Sequence, residues 1–375
     1  MHRPNLADMT ESEAFAEQAR PASSQRQPAE VRAQLTAWFR EREPGAQVVE
    51  LHLPEGNGMS SETLLGVVRI DGADRRLVIR VAPRPESDPV FPRYDLPAQF
   101  SVMRHAAAHG VAAPPCLWVE SDPAVLGAPF LVMDRVDGDV PPDVMPYTFG
   151  AWRPGADLRE LGAASVDVIA AVHAVPPPPS VLPMPAPTRN ETALAAHLRR
   201  LGEFYDWAAD GHRRAPILDR ALAWAAERLP EHDDAVLNWG DARIGNLIYR
   251  GDAPVAVLDW EMATVGPPEL DLGWFVYLHR FFQDLAELAG LPGLPDFLRR
   301  NDVERRYAYT TGHAPREMDF YTAYAAIVHG VIMYRIQTRA IDFGAAPPPE
   351  NPDDMIMHRT SIERMLNGTY WDAVQ

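Results

Sequence analysis

The sequence predicts an α+β protein of two lobes, a β-rich N-lobe followed by a mainly helical C-lobe. Short apolar runs bounded by turn residues dominate residues 47–136, a pattern typical of strands. From residue 157 onward the apolar residues recur at helical spacing instead. Hydrophobic residues make up 46% of the 375 residues and charged residues 23%, which is enough for a sizeable core.

The N-lobe is predicted over residues 31–137, after a loose polar tail at 1–30. Three strands are expected in the segments QVVELHL, ETLLGVVRI and RRLVIRVA, and a fourth in PFLVMDRV. The pair Asp71-Gly72 between the second and third strands favours a tight hairpin turn, because both residue types tolerate positive φ. Helices are predicted at 31–42 and 96–109, from the spacing of their apolar residues.

The C-lobe is predicted over residues 138–375. A long amphipathic helix comes first and stops at the proline run Pro176–Pro179, which cannot continue a helix. Helices are predicted at 158–175, 191–209, 216–228, 270–289, 302–311, 317–340 and 354–367. A ligand is expected in the cleft between the two lobes, since small-molecule sites favour such interfaces.

Charge, hydropathy and cysteine content argue against several kinds of partner and location. The formal net charge is −17, which disfavours nucleic acid and anionic membranes as partners. No apolar run approaches the roughly 20 residues of a membrane span, and the first residues do not have the pattern of a secretory signal. The lone Cys116 permits no internal disulfide. We therefore expect a cytoplasmic protein.

The sequence contains no lysine, so all 35 basic residues are arginine. A mechanism that uses a lysine amine is closed to this chain. A lysine clamp on phosphate must be replaced by a guanidinium, which can bind phosphate in a bidentate manner.

The segment NWGDARIGN, residues 238–246, precedes two short apolar runs that a GDA turn joins. If these runs form a hairpin, the chain returns to its start at Asp259, so Asn246 and Asp259 become neighbours with Asp241 close by. An amide and a carboxylate oxygen are hard ligands suited to Mg²⁺ beside phosphates, and a further carboxylate can accept a proton. The alternative is that Asp241 and Asn246 serve only as turn formers.

The D-x4-N motif, followed by a hairpin and LDWE, resembles the aminoglycoside phosphotransferase and choline kinase-like family, a branch of the protein-kinase-like fold. The resemblance runs from about residue 45 to 340. It includes GNGMSSETLL as a phosphate loop, RLVIRV as the third strand, PFLVMDRVDG around a hinge at 133–137, and PPELDLGW. VMPYTFG and WGDARIGN are most similar to bacterial members, and similar domains accompany acyl-CoA dehydrogenases.

The resemblance implies an enzyme that moves the γ-phosphate of ATP, or of GTP, to a hydroxyl of a small molecule with the help of Mg²⁺. Residues 238–246 would form the catalytic loop. Asp241 in it would be the catalytic base, and Arg243 would steady the γ-phosphate. Asn246 and Asp259 would be the Mg²⁺ ligands.

The resemblance also assigns the nucleotide contacts. Arg80 would stand where kinases use a strand lysine that pairs with the α- and β-phosphates. The remaining contacts would be the phosphate loop with Gly58, Ser60 and Ser61, and the backbone groups of Asp134 and Val136, which would hydrogen-bond adenine.

Three positions depart from the family pattern. Trp239 replaces the histidine that often braces the catalytic loop, Gln99 stands where a helical glutamate normally orients the strand lysine, and the phosphate loop reads GNGMSS. These departures leave a catalytically weak, nucleotide-binding pseudokinase open as the alternative. Asp271 is expected to accept backbone hydrogen bonds from the catalytic loop. Gln99 is expected either to bond Arg80 or to lie on the helix surface.

The acceptor is expected between the catalytic loop and the helices of residues 274–340. This region carries more aromatic and aliphatic residues than acids, whereas polycationic sugars would require carboxylates. The composition favours an alcohol that is less charged or partly apolar. The sequence leaves the oligomeric state open.

Overall fold

The structure, a computed structural model, describes residues 28–52, 61–84, 88–143, 146–178, 182–183, 187–188, 191–232 and 234–371. Most of the predicted tail, together with Gly58 and Ser60 of the predicted phosphate loop, lies outside the described residues. The N-lobe elements are α1 (Pro28–Arg42), β1 (Gln47–His52), β2 (Glu62–Ile70), β3 (Ala73–Val81), α2 (Leu96–Ala108), β4 (Cys116–Glu120) and β5 (Phe130–Asp134).

The C-lobe is mainly helical and carries short strands around the catalytic loop. Its helices are α3 (Arg159–His173), α4 (Ala193–Ala208), α5 (Pro216–Glu227), α6 (Glu269–Leu288), α7 (Arg300–Thr311), α8 (Met318–Asp342) and α9 (Arg359–Leu366). Its strands are β6 (Val236–Asn238), β7 (Leu247–Arg250), β8 (Ala253–Val257) and β9 (Thr264–Gly266). The two-lobed α+β architecture predicted from the sequence is confirmed.

The N-lobe is built on a five-stranded antiparallel sheet in the order β1-β2-β3-β5-β4. Asp71 and Gly72 both have positive φ at the β2–β3 turn, as the predicted hairpin requires. Strand β4 was not predicted. All five of its residues are half-buried, so it lacks the alternation of burial that makes a strand recognisable.

Helix ends follow local capping chemistry. The side chain of Asp95 accepts a hydrogen bond from the Ala98 amide at the start of α2, and Thr192 caps α4 in the same way. The helix predicted at 354–367 begins later than expected, at Arg359, because a 3₁₀ turn occupies Pro352–Met355.

Helices α6 and α8 approach closely in the centre of the C-lobe. A Cβ atom added at Gly273 would lie 2.6 Å from the Tyr321 carbonyl oxygen, so only glycine permits this separation. The close approach brings the residue after it, Trp274, between α8 and the catalytic loop.

The contacts that join the lobes include two ion pairs between an arginine and an aspartate. Arg80 of β3 forms an ion pair with Asp259, which follows β8. Arg335 of α8 bonds the carbonyl of Pro89 and the carboxylate of Asp88 in the segment that leads to α2. Among the described residues, the structure contains no helix with the length and apolar character needed to cross a membrane.

Candidate active site

The catalytic loop after β6 is held by one buried carboxylate. The amide of Trp239 donates to Asp271 Oδ2 at 2.7 Å, and the amide of Gly240 donates to Asp271 Oδ1 at 2.8 Å. Asp271 is fully buried and also bonds the imidazole of His173 at 3.1 Å. The predicted bracing role of Asp271 is confirmed. The position of Gly240 requires glycine, because its φ is +93° and an added Cβ would lie 2.3 Å from the Met262 carbonyl oxygen.

Trp239 is part of the loop's scaffold. Its indole is fully buried, and its Nε1 donates to the Leu258 carbonyl at 2.7 Å. This bond ties the catalytic loop to the residue that precedes Asp259. The tryptophan therefore braces the loop although it replaces the expected histidine.

The hairpin that the sequence predicted after Asn246 is present. Strands β7 and β8 pair with Leu247 opposite Val257, and the Leu258 amide donates to the Asn246 carbonyl at 2.9 Å. The register places Asp259 one residue beyond that bond. The hairpin thus returns Asp259 to the neighbourhood of Asn246, as the spacing implied.

Asp241 is surrounded by hydrogen-bond donors. Its carboxylate accepts from Arg243 Nε at 3.0 and 3.1 Å, from Asn246 Nδ2 at 2.6 Å and from Trp274 Nε1 at 2.8 Å. These donors come from the loop itself and from α6. They hold the carboxylate in one orientation.

Arg243 is held between two carboxylates. Its Nε bonds Asp241, and its Nη1 bonds Asp143 on the loop that follows β5. Burial alone lowers the pKa of Arg243, but the charges of Asp241 and Asp143 outweigh burial and raise it above its ordinary value. The guanidinium remains charged beside the proposed base.

Arg80 lies at the centre of the interlobe contact. Its Nη1 is 2.8 Å from Asp259 Oδ1, and its Nη2 is 4.0 Å from Glu261. Its Nε and Nη2 also donate to the hydroxyl of Ser61, which is buried. Burial lowers the pKa of Arg80, yet the negative charges of Asp259 and Glu261 raise it overall.

The expected partnership of Arg80 with Gln99 is wrong. Gln99 is buried in α2, with 2% exposure, so it is not a surface residue either. Within the described part of the chain, the side-chain partners of Arg80 are Ser61, Asp259 and Glu261. Charge explains the difference, because a guanidinium gains more from carboxylates than from a neutral amide.

The predicted hinge follows β5. The Asp134 amide donates to the Pro115 carbonyl at 2.9 Å, and its carboxylate pairs with Arg75. Its amide N–H is therefore already engaged. Val136 lies just beyond the strand and is half-buried. Among the described residues, its amide is bonded to no backbone carbonyl.

The oxygen atoms near the hairpin's open end match the preferences of Mg²⁺. Asn246 supplies an amide and Asp259 a carboxylate, and Mg²⁺ in phosphate-transfer sites takes one or two carboxylates while waters and substrate phosphates fill the other positions. In the described ranges, no group of three or more His, Cys, Asp or Glu side chains forms a separate metal site.

The part of the chain that contains this site matches a known family. A sequence model described as the phosphotransferase enzyme family (APH) matches residues 60–301, which is more than half of the chain. The chain belongs to this family. The family is described as one of phosphotransferase enzymes.

The curated proteins to which this chain is similar include acyl-CoA dehydrogenase family members, as the sequence resemblance suggested. The chain is 26% identical over 291 residues to acyl-CoA dehydrogenase family member 10 of Mus musculus, which covers 69% of this chain and 24% of that protein. It is 25% identical over 195 residues to acyl-CoA dehydrogenase family member 11 of Homo sapiens, covering 48% and 23%. The chain spans about a quarter of the length of these relatives.

Solved structures share the protein-kinase-like fold. A candidate aminoglycoside phosphotransferase from Ralstonia eutropha has a TM-score of 0.62 and 19% identity, and the match covers 91% of this chain and 98% of that one. Macrolide 2′-phosphotransferase MphH from Brachybacterium faecium has a TM-score of 0.53 and 16% identity, with coverage of 86% and 97%. A mutant of aminoglycoside phosphotransferase APH(4)-Ia, in ternary complex with AMP-PNP and hygromycin B, has a TM-score of 0.54 and 15% identity, with coverage of 89% and 98%.

Four residues at the site were not assigned a role from the sequence. Trp274 and Glu261 are the last residues of the motifs PPELDLGW and LDWE. The motifs therefore indicated these positions, but not which side chains the two residues contact. Asp143 and His173 carry no local signal, since they reach the site from a loop and a helix far away in the chain.

Proposed function

We propose that this protein is an ATP- and Mg²⁺-dependent O-phosphotransferase that moves the γ-phosphate to a hydroxyl of a small molecule, with Asp241 as the base. The observation that carries the proposal is the convergence of Asp241, Asn246 and Asp259. Asn246 bonds Asp241 at 2.6 Å, and the hairpin brings Asp259 back beside Asn246.

The nucleotide would bind between the lobes at residues 31–137 and 138–375. The Asp134 carbonyl and the Val136 amide are proposed to bond adenine, and Arg80 to pair with the α- and β-phosphates. Ser61 supports this role of Arg80, because its hydroxyl accepts two hydrogen bonds from the guanidinium. Gly58 and Ser60 are retained from the sequence resemblance as phosphate-loop contacts.

Asn246 and Asp259 are proposed to hold Mg²⁺. When bound, the ion would neutralise charge on the phosphates and help to orient them. The chain's own side chains would orient the reactants and accept the proton of the acceptor hydroxyl.

In the transfer step, the acceptor oxygen attacks the γ-phosphorus and a new O–P bond forms. The bond between the γ-phosphorus and its bridging oxygen breaks, and ADP leaves with that electron pair. The acceptor's proton passes to the Asp241 carboxylate, which Arg243, Asn246 and Trp274 orient. Arg243 is positively charged and lies next to the base, so it is proposed to steady the transferred phosphoryl group.

The acceptor is proposed to be an alcohol that is uncharged or partly apolar. The cation Arg243 already binds both Asp143 and Asp241, so these carboxylates are not free to receive a polyamine. A cytoplasmic site of action is proposed, because ATP and Mg²⁺ are both present there.

The test is ADP release with Mg-ATP and a panel of hydroxylated compounds. We expect Asp241→Asn to lower turnover about 10²- to 10⁴-fold, the usual contribution of a general base, while ATP still raises the melting temperature. Asp259→Asn should remove the Mg²⁺-dependent part of that thermal shift. The matched control is Asp252→Asn, an exposed carboxylate on the turn of the same hairpin, which should change neither quantity.

The proposal is wrong if Asp241→Asn turns over as fast as the parent protein. Nucleotide binding without turnover of any acceptor would favour the pseudokinase alternative instead.

A further inference from the structure

Helix α8 is buried along most of its length, with one exception. Between Phe320 and Ala340, only His329, Ile332 and Met333 keep partial exposure. Their spacing of three and four residues places them on one face of the helix. At this face an otherwise buried helix reaches solvent. We call these three residues the α8 face.

His329 of the α8 face lies near the proposed base, with Trp274 between them. Trp274 donates to Asp241 at 2.8 Å, and the ring of Trp274 meets that of His329 edge to face, with 6.2 Å between centroids. Burial, the neighbouring His358 and the charge of Arg243 all lower the pKa of His329. His329 is therefore neutral, and it is close enough to the catalytic loop for the charge of Arg243 to contribute to its lowered pKa.

The hydrogen-bond partner of His329 determines which ring nitrogen carries the proton. The Tyr277 hydroxyl is 2.8 Å from His329 Nδ1, and burial raises the pKa of Tyr277 well above its ordinary value. In the described residues that hydroxyl has no other partner, and a buried O–H group without an acceptor is costly. The hydroxyl therefore donates to Nδ1, and the imidazole proton resides on Nε2.

The aromatic neighbours hold this ring in place. His358 stacks on His329 with 4.7 Å between centroids and an angle of 11°, and Phe281 packs against it edge to face at 4.8 Å. His358 Nε2 bonds the Ala326 carbonyl at 2.9 Å, and burial lowers the pKa of His358 to about 4. Both imidazoles are neutral near pH 7. The Nε2–H of His329 has no partner among the described residues.

We propose that the α8 face binds the acceptor, with the acceptor's apolar body on Ile332 and Met333 and a hydrogen bond from His329 Nε2–H to a second oxygen of the acceptor. The proposal rests on the proposed function of Asp241, since it places the acceptor's reacting hydroxyl at that residue. The ligand class is a neutral alcohol with an apolar body and a carbonyl or ether oxygen. The Nε2–H of a neutral imidazole donates a hydrogen bond to an oxygen acceptor. An ammonium group has only donors and cannot accept that bond.

Three probes of similar length separate the alternatives. Methyl 6-hydroxyhexanoate has a hydroxyl, an apolar body and a carbonyl. Octan-1-ol lacks the second oxygen, and 6-aminohexan-1-ol carries a cation in its place. We expect kcat/KM, followed by ADP release, to be highest for the ester and about tenfold lower for each of the other two, which is the effect of one hydrogen bond.

The variant His329→Phe keeps a ring but loses the donor. It should raise KM for the ester about tenfold and leave KM for ATP unchanged, and His329→Gln should restore part of the loss because an amide N–H replaces the imidazole donor. His52→Phe, on an exposed histidine of β1, is the control and should change neither KM. Equal KM values for the ester in the parent protein and His329→Phe would overturn the proposal.

A second readout does not depend on turnover. The imidazole ¹⁵N signals of His329 are assigned as those that disappear in His329→Phe. Their chemical shifts should be those of the Nε2–H tautomer. They should change when the ester binds but not when 6-aminohexan-1-ol is added. An Nδ1–H tautomer, or a larger response to the amine, would overturn the proposal. If these shifts behave as expected but no probe releases ADP, the α8 face binds the ester but the ester is not an acceptor, whereas the transferase proposal itself is decided by the wider panel and by Asp241→Asn.

Discussion

Arg80 and Asp259 lie 179 residues apart in the chain and form an ion pair of 2.8 Å between the lobes. One is proposed to bind phosphate and the other Mg²⁺. In the chain alone their opposite charges compensate each other, so neither is left as an isolated charge in a partly buried cleft. The pair also links β3 of the N-lobe to the hairpin of the C-lobe.

Replacing Arg80 should affect both binding and stability. In Arg80→Gln, the Asp259 and Glu261 carboxylates lose their cation, so we expect the free energy of unfolding to fall by about 1–3 kcal/mol. KM for ATP should rise at least about tenfold. Denaturant melts and initial rates measure the two effects. Arg76→Gln is the control, since Arg76 lies on the same strand and makes an exposed pair with Asp137; an equal loss there would remove the special role of Arg80.

Trp274 is predicted to orient the base. In Trp274→Phe, Asp241 loses the indole N–H but keeps Arg243 and Asn246 as donors, so we expect kcat to fall about tenfold, which corresponds to about 1.4 kcal/mol. KM for ATP should change by less than about twofold, since a lost hydrogen bond to the base leaves the nucleotide contacts intact. Trp207→Phe, at an exposed tryptophan of α4, provides the control. An unchanged kcat would show that the indole does not position the carboxylate.

Asp271 is predicted to be essential to the catalytic loop. Asp271→Asn leaves one acceptor oxygen for two amide donors, those of Trp239 and Gly240, so one buried N–H loses its partner. We expect the free energy of unfolding to fall by about 3 kcal/mol and turnover to fall with it. Asp302→Asn, at an exposed position of α7, should have little effect. Similar melting curves for the two variants would contradict the bracing role.

Gly240 is predicted to tolerate no side chain. In Gly240→Ala, the added Cβ would lie 2.3 Å from the Met262 carbonyl oxygen, and φ is +93°. Gly211→Ala separates these causes, because Gly211 has φ of +77° with open space around it. We expect a loss of about 1–2 kcal/mol for Gly211→Ala from backbone strain and more than about 3 kcal/mol for Gly240→Ala. Chemical denaturation measures both, and equal losses would exclude crowding as the cause.

His279 is predicted to make stability fall in acid. Burial lowers its pKa from 6.5 to about 3, so between these values the unfolded chain binds a proton here that the folded chain does not. The free energy of unfolding should therefore decrease as the pH falls through this window, by about 1.4 kcal/mol per pH unit from this residue.

The variant His279→Phe removes that contribution. Its free energy of unfolding, measured by urea melts from pH 7 to pH 4, should depend less steeply on pH than that of the parent protein. The slope is the diagnostic quantity, because the loss of the Tyr147 hydrogen bond shifts stability at every pH. Identical slopes would refute the prediction.

Local patterns predicted most of the elements and failed in identifiable cases. The β2–β3 turn and the β7–β8 hairpin were predictable because each depends on a few adjacent residues. Strands β4 and β9 were missed, since one has uniform partial burial and the other has only three residues. The family pattern predicted Gln99 either as the partner of Arg80 or as a helix-surface residue. Both alternatives are wrong, because carboxylates lie beside Arg80 and Gln99 is buried.

The sequence by itself determined the two-lobed α+β architecture, the family and the D-x4-N segment with its returning hairpin, because hydrophobic periodicity, turn residues and motif spacing act over short stretches of chain. Only the tertiary structure decided which distant residues surround Asp241. Asp143, His173 and Trp274 reach the catalytic loop from separate elements. Such contacts depend on how helices and loops pack against each other. The spacing of residues within one segment does not determine the distance between two segments.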